Sequence, residues 1–316
     1  MPTKLLTFGA ALFLALGAAG QPQAPAKAEP WEYSTSIGSL MLWISDGTFP
    51  ATGCVDVVID AFITTENLDT EWDLSLTARS PGPEERKSSA FLYGSGSSDE
   101  QDSFLICPIM GTGTYTVTGT LYMDDYSSRT YTTIPIEADF DVRKSLSKTS
   151  ISAPRMSTKT VLVSGRVEAP SENGSWAGTR GWVTIEARPP QGTRWVQITR
   201  VYSSEEDGFT TTAQHRLPMN SEFRAVFEGS DSADGSSSAV RRGDVCITYR
   251  EYKQAKFGMT VQQVRRVFGT NGQQTSKSSN SGITVEIRSY SGCRDFSAVS
   301  VVFTNGRLET KSQAGL

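Results

Sequence analysis

An apolar alternation with a period of two, running from Gly53 to Val142, constrains this chain more than any other feature. Successive side chains of an extended strand point to opposite faces, so such a repeat sends one set into a core and leaves the other in water. Val55, Val57, Ile59, Ala61 and Ile63 make one such face. Trp72, Leu74, Leu76 and Ala78 make a second, alternating with Glu71, Asp73, Ser75 and Thr77. Tyr115, Val117 and Leu121 make a third, and Ile134, Ile136, Ala138, Phe140 and Val142 a fourth. Ser80-Pro81-Gly82-Pro83 and Gly94-Ser95-Gly96-Ser97-Ser98 are turn-rich breaks between them. Strands at this spacing predict an antiparallel β-sandwich over residues 29–145.

A polar stretch with Pro154 follows and predicts a linker over residues 146–160. Alternation then resumes in Val161, Val163 and Val167, in Val183, Ile185 and Ala187, and in Phe223, Ala225 and Phe227. Pro189-Pro190-Gln191-Gly192 and Asp207-Gly208 separate these runs, so a second β-sandwich is predicted over residues 161–245. Trp195-Val196-Gln197, Asp207-Gly208-Phe209 and Glu222-Phe223-Arg224-Ala225 resemble immunoglobulin-like modules of secreted bacterial proteins, a similarity spanning about residues 155–240. Gly229 to Ser238, rich in Ser, Asp and Gly, predicts a flexible loop.

After Cys246 the period changes. Thr260 and Gln263 form a capping box, Met259 and Val264 occupy staple positions, and Val261, Val264 and Phe268 recur at helical spacing. Gly269 can end the helix in the left-handed conformation, so a two-turn helix is predicted over 261–268. Ile283, Val285 and Ile287, then Val299, Val301 and Phe303, alternate again, and Asn305-Gly306 supplies a two-residue hairpin turn. The fold class predicted is mainly β, with two immunoglobulin-like sandwiches before a small helix-helix-antiparallel sheet unit over residues 246–316.

That last unit carries a family resemblance. The run from Tyr252 through Lys256-Phe257-Gly258-Met259-Thr260 to Val264, with Gly269 five residues on, resembles the helical half of a β-lactamase inhibitory protein repeat. Phe303-Thr304-Asn305-Gly306-Arg307-Leu308, followed by Lys311-Ser312-Gln313, resembles its closing hairpin. The same order is similar to the small lipoprotein of the bacterial outer-membrane assembly machine. The resemblance implies a non-catalytic unit whose sheet face and strand loops dock on another protein. The outward residues of that face would be Thr284, Glu286, Arg288 and Tyr290. Asp295-Phe296 falls near the acidic-aromatic pair that inhibitory members insert into an enzyme. The family's inhibitors use two tandem repeats, whereas one is visible here, and Cys246 and Cys293 do not follow its short internal disulfide spacing.

Compartment and chemistry narrow the function further. Lys4, the apolar run Leu5 to Ala19 and small residues up to Ala28 read as a secretory signal peptide over residues 1–28, with no membrane span after its cleavage. Four cysteines in an exported chain are expected to pair, and three pairings are possible. Cys54 with Cys107 and Cys246 with Cys293 is favoured, because each pair then lies inside one predicted domain. Residues 29–145 carry 19 acids and 6 bases, and residues 246–316 carry 4 acids and 10 bases. The molecule is therefore expected to have an acidic head and a basic tail. His215 is the single histidine and has no nucleophile motif beside it; Ser145-Leu146-Ser147-Lys148 lacks the companion motifs of penicillin-recognising enzymes. Asp99, Glu100 and Asp102 are expected in a turn, as acids that calcium could use but without EF-hand spacing. No catalysis, cofactor, metal or nucleic-acid partner is expected. The expected partner is an extracellular or envelope protein, with a β-lactamase or related secreted hydrolase first in line for inhibition. The alternative is a cell-envelope or extracellular structural or adhesion module without inhibitory activity.

Overall fold

The first block forms nine strands in two facing sheets, the four alternating segments among them. The computed structural model describes residues 30–316, and the signal-peptide segment 1–28 lies outside the described residues. The chain is mainly β, with 60% strand and 6% helix. The strands of the first block are β1 (Trp31–Ser34), β2 (Gly38–Ile44), β3 (Gly47–Thr48), β4 (Val55–Thr65), β5 (Thr70–Arg79), β6 (Lys87–Ser95), β7 (Ser98–Ile106), β8 (Gly113–Asp125) and β9 (Thr130–Arg143). One sheet runs β1-β2-β4-β7 and the other β3-β9-β8-β5-β6. The alternating residues do what their period requires: Val57, Ile59, Ala61 and Ile63 of β4 meet Trp72, Leu74, Leu76 and Ala78 of β5 in one core. Phe104, Tyr115 and Phe140 stack in that core, and burial pushes the Tyr115 hydroxyl up to about 12. Asp99, Glu100 and Asp102 are not in a turn; they lie along β7, paired only on the side of β4. Charge on such an edge strand keeps it from pairing with other chains.

The second block comprises β10 (Lys148–Ile151), β11 (Arg155–Met156), β12 (Thr160–Pro170), β13 (Trp176–Gly178), β14 (Gly181–Arg188), β15 (Val196–Ser203), β16 (Phe209–Gln214), β17 (Glu222–Phe227), β18 (Ser236–Ser237), β19 (Arg241–Arg242) and β20 (Asp244–Val245). One sheet is built around β12, the other around β14 and β17, and Val161, Val163, Ile185 and Phe223 meet between them. The segment expected as a linker is different in the structure. β10 and β11 both pair with β12, and β11 also pairs with β20, so the polar residues of this segment mark the solvent side of strands rather than unstructured chain. Gly229 to Ser238 is likewise held in place: Ser145 bridges Ala233, which is fully buried, and Ser238 Oγ accepts the Ala225 amide at 2.9 Å. On the outer face Trp195 lies between Arg188 and Arg224, at 4.6 and 4.5 Å, and these arginines pair with Glu222 and Glu186.

The first two blocks interlock at Ala51. Its amide donates to Pro170 O at 2.6 Å, and its carbonyl accepts from Thr179 Oγ1 and Ser232 Oγ. Ala51 itself packs in the second core.

The C-terminal residues form α1 (Tyr249–Gln254), α2 (Val261–Phe268), β21 (Gln273–Asn280), β22 (Ile283–Ser291), β23 (Ala298–Thr304) and β24 (Arg307–Ala314). The sheet runs β21-β22-β23-β24, all antiparallel. α2 has the predicted bounds, with the Thr260–Gln263 capping box formed and Gly269 left-handed. α1 carries a second capping box, Thr248 with Glu251. Glu251 is buried and also accepts the amide and hydroxyl of Thr158, which joins this unit to the second block. At the other end of α1, Lys311 Nζ donates to the carbonyls of Tyr252 and Ala255 at 2.7 and 2.6 Å. These are the acceptors a helix end leaves unpaired. Val264 and Phe268 meet Val299, Val301, Phe303 and Tyr290 in a third core. Among the described residues no helix is long and apolar enough to cross a membrane.

Candidate functional site

The most exposed large aromatic of the described chain is Phe296, in the loop joining β22 to β23. The Cys246–Cys293 disulfide fixes the start of that loop, and Ile247 and Gly292 bridge beside it. The Gly292 amide donates to Ser297 O at 2.9 Å, and Ser297 Oγ donates to Arg294 O at 2.7 Å while accepting the Arg294 amide. A Cβ on Gly292 would lie 2.0 Å from Ser297 Oγ, so this closure needs glycine. Asp295 pairs with Arg155 of β11, whose guanidinium also reaches Cys293 O. Phe296 sits between these anchors at φ +56° with its side chain fully in solvent. A bulky residue adopts the left-handed region only where its surroundings enforce it, at a cost of order 1–3 kcal/mol.

The other three expected contact residues are elsewhere. Register pairs Glu286 with Phe303, Arg288 with Val301 and Tyr290 with Val299, and directly opposed residues share a face. Phe303, Val301 and Val299 are core residues under the helices, so Glu286, Arg288 and Tyr290 face inward, opposite to expectation. A shift of one residue in register inverts every side chain, and the register here is set by the larger apolar set on β23. Tyr290 packs edge-on against Phe268, with ring centroids 4.9 Å apart, and burial pushes its hydroxyl up to about 12. Glu286 and Arg288 form a largely covered ion pair, and Arg288 Nη1 donates to Asn271 O at 2.7 Å, tying the sheet to the loop after α2. The open face of the sheet instead carries Val285, Ile287 and Val302, with Ile283 exposed at its end. The five residues are therefore not gathered on one surface. Asp295 and Phe296 share the loop, and the rest brace the unit.

Both expected disulfides are formed, Cys54–Cys107 and Cys246–Cys293. His215 is held by the backbone on both ring nitrogens: Nε2 donates to Ser157 O at 3.0 Å, and Nδ1 accepts the Leu217 amide at 3.1 Å. That arrangement fixes a β-strand end, and neither nitrogen faces a serine hydroxyl or a thiol. Among the described residues no group of three or more His, Cys, Asp or Glu side chains could hold a metal ion.

Fold and loop together define a class of molecule: a chain of β units ending in a small α+β unit that presents a braced, aromatic-tipped loop. Residues 248–316, which contain that loop, match the family described as Beta-lactamase inhibitor (BLIP). The C-terminal region is thus similar to a repeat of that inhibitor family, and residues 1–247 lie outside the match. A search of curated proteins gave no match. Among solved structures, the crystal structure of red sea bream transglutaminase aligns over 67% of this chain and 32% of its own, at 8% identity and a TM-score of 0.28. This chain therefore spans about a third of that transglutaminase, and a likeness at that level carries no inference about fold or activity.

Proposed function

We propose that this is an exported, non-catalytic protein-binding protein whose C-terminal unit docks on a secreted hydrolase of the β-lactamase type and inhibits it. The observation that carries this reading is Phe296, a fully exposed aromatic held in an unfavourable backbone conformation by a disulfide, a glycine closure and an ion pair. Strain maintained at a solvent-facing tip has no role in packing, whereas a rigid aromatic anchor is what interface hot spots are made of. The family match over 248–316 supports the class of partner. The two disulfides fit an oxidising compartment, in keeping with export through residues 1–28.

The test is to incubate the purified mature chain with a panel of secreted β-lactamases and penicillin-recognising peptidases, measuring complex formation and residual hydrolysis together. Capture and inhibition by wild type, with Phe296→Ala weakening capture at least tenfold, is the expected result; a hot-spot truncation costs about 2 kcal/mol or more. Capture that survives deletion of 248–316, or is untouched by Phe296→Ala, would overturn the proposal.

A further inference from the structure

A second surface, on the acidic first block, has a different chemistry. The outer face of β5, β6 and β8 carries Tyr93 and Tyr122 on either side of Asp73, with which both are in register. Tyr122 stacks on Tyr131 of β9, and Tyr93 and Tyr131 are about three-quarters exposed, at 72% and 71%. Tyr93, Tyr122 and Tyr126 line a groove of about 490 Å³ together with Trp72 and Asp73. A neighbouring groove of about 460 Å³ shares Glu71, Ser95 and Tyr126 with it and continues past Asp69, so the two form one trough. No lysine or arginine lines either groove among the described residues.

The carboxylates in the trough are placed at a cost. Glu71 lies directly opposite Asp124 in the β5–β8 ladder, and like charges so placed destabilise a sheet. Tyr126 donates to Glu71 at 2.9 Å and Tyr122 reaches Asp124 at 3.4 Å, which gives each carboxylate one donor without neutralising it. Asp73, half-buried between two tyrosines, has no hydrogen-bond or ion-pair partner among the described residues. The local field is negative. The Tyr126 hydroxyl is held above its ordinary range by its bond to Glu71 and that carboxylate's charge, and Tyr122 by burial and by Asp124. Asp125 fixes the turn that carries Tyr126, accepting from the hydroxyls of Ser127 and Ser128.

Phenol faces flanking unneutralised carboxylates complement a cation that can stack on a ring and pair with an oxygen. The trough joins two adjoining grooves, and residues 29–145 as a whole carry 19 acids against 6 bases. We infer that this tyrosine-walled trough binds an extended lysine- or arginine-rich segment of another protein, independently of the loop at Phe296.

The test is fluorescence-polarisation titration of a labelled hexalysine peptide with the full mature chain at low and physiological salt. Saturable binding that weakens several-fold with salt is expected. Tyr93→Ala, which leaves the charge unchanged and removes a largely exposed ring, should weaken it three- to tenfold. Asp73→Asn should weaken it similarly, whereas Glu84→Gln, an equal change of charge in the exposed Ser80–Arg86 turn, should leave it unchanged. Thermal melts of the variants check that each is folded. Equal affinity in Tyr93→Ala, Asp73→Asn and wild type would mean generic charge attraction and would overturn the inference. Saturable binding of chitohexaose or Ca²⁺ at this trough in place of the peptide would also overturn it, as would self-association abolished by Tyr93→Ala.

Discussion

At the residue scale, Phe296 sets the proposed docking role against stability. Glycine adopts its backbone conformation without the roughly 1–2 kcal/mol penalty of a side chain, though glycine also raises the entropy of the unfolded chain. Phe296→Gly is therefore expected to hold or raise stability, by up to about 1 kcal/mol, while abolishing partner capture; a denaturant melt beside the capture assay reads both. Asp125 shows the opposite balance. It is buried, and the hydroxyls of Ser127 and Ser128, with the Asn67 amide, hold its carboxyl well below the ordinary value of 3.8. A group whose folded value is depressed stabilises above its unfolded pKa and loses that contribution as the pH falls. Asp125→Asn should lower the Tm by several degrees at neutral pH and flatten the loss of stability below about pH 4. The sequence showed Asp295-Phe296 only through a family resemblance, and the facing of Glu286, Arg288 and Tyr290 was read the wrong way round. Polar residues alternating with Ile283, Val285 and Ile287 look outward until the partner strand is known, because cross-strand register is not written in either strand alone.

At the scale of elements, legibility followed local physics. α2 was readable to the residue because its cap, staple and terminating glycine are all local signals. α1 has the same Thr-x-x-Glu signature at Thr248 and Glu251, but only six residues follow its cap, too few for a visible helical period. β10 and β11 were hidden because strands of four and two residues each place a single apolar residue, Ile151 and Met156, in the core, too few to show an apolar period. Thr260→Ala should cost about 1 kcal/mol through loss of the α2 cap, measured by denaturant unfolding of the C-terminal unit. The buried tyrosines give a second check. Tyr115 and Tyr290 both sit at about 12, above the unfolded value of 10.0, so the stability they confer is full below pH 10 and is lost as the pH rises towards 12. Absorbance at 295 nm should show two phenols titrating last, together with the loss of near-ultraviolet circular dichroism, and Tyr290→Phe should leave one.

At the scale of the whole molecule, three cores are separate but their boundaries are shared. The Cys246 amide donates to the Met156 carbonyl of the second block and its sulfur is bonded to Cys293 in the loop of the third, so one residue ties both. Replacing Cys246 and Cys293 together by serine should remove roughly 3–4 kcal/mol from the C-terminal unit in the chain-entropy description. Hydrogen exchange at Gly292 and Cys293 should rise while the first block stays protected.

The clamp at Ala51, with Lys144 Nζ donating to Ser230 O and Ser145 bridging Ala233, has a mechanical consequence. Two separate stretches of backbone are pinned where the first two blocks meet, so tension along the chain cannot peel one away through a single slack hinge. Pulled from its ends, the molecule should respond at this junction like a welded joint, with the acidic head and the second block giving way at one force peak rather than sliding apart before either unravels.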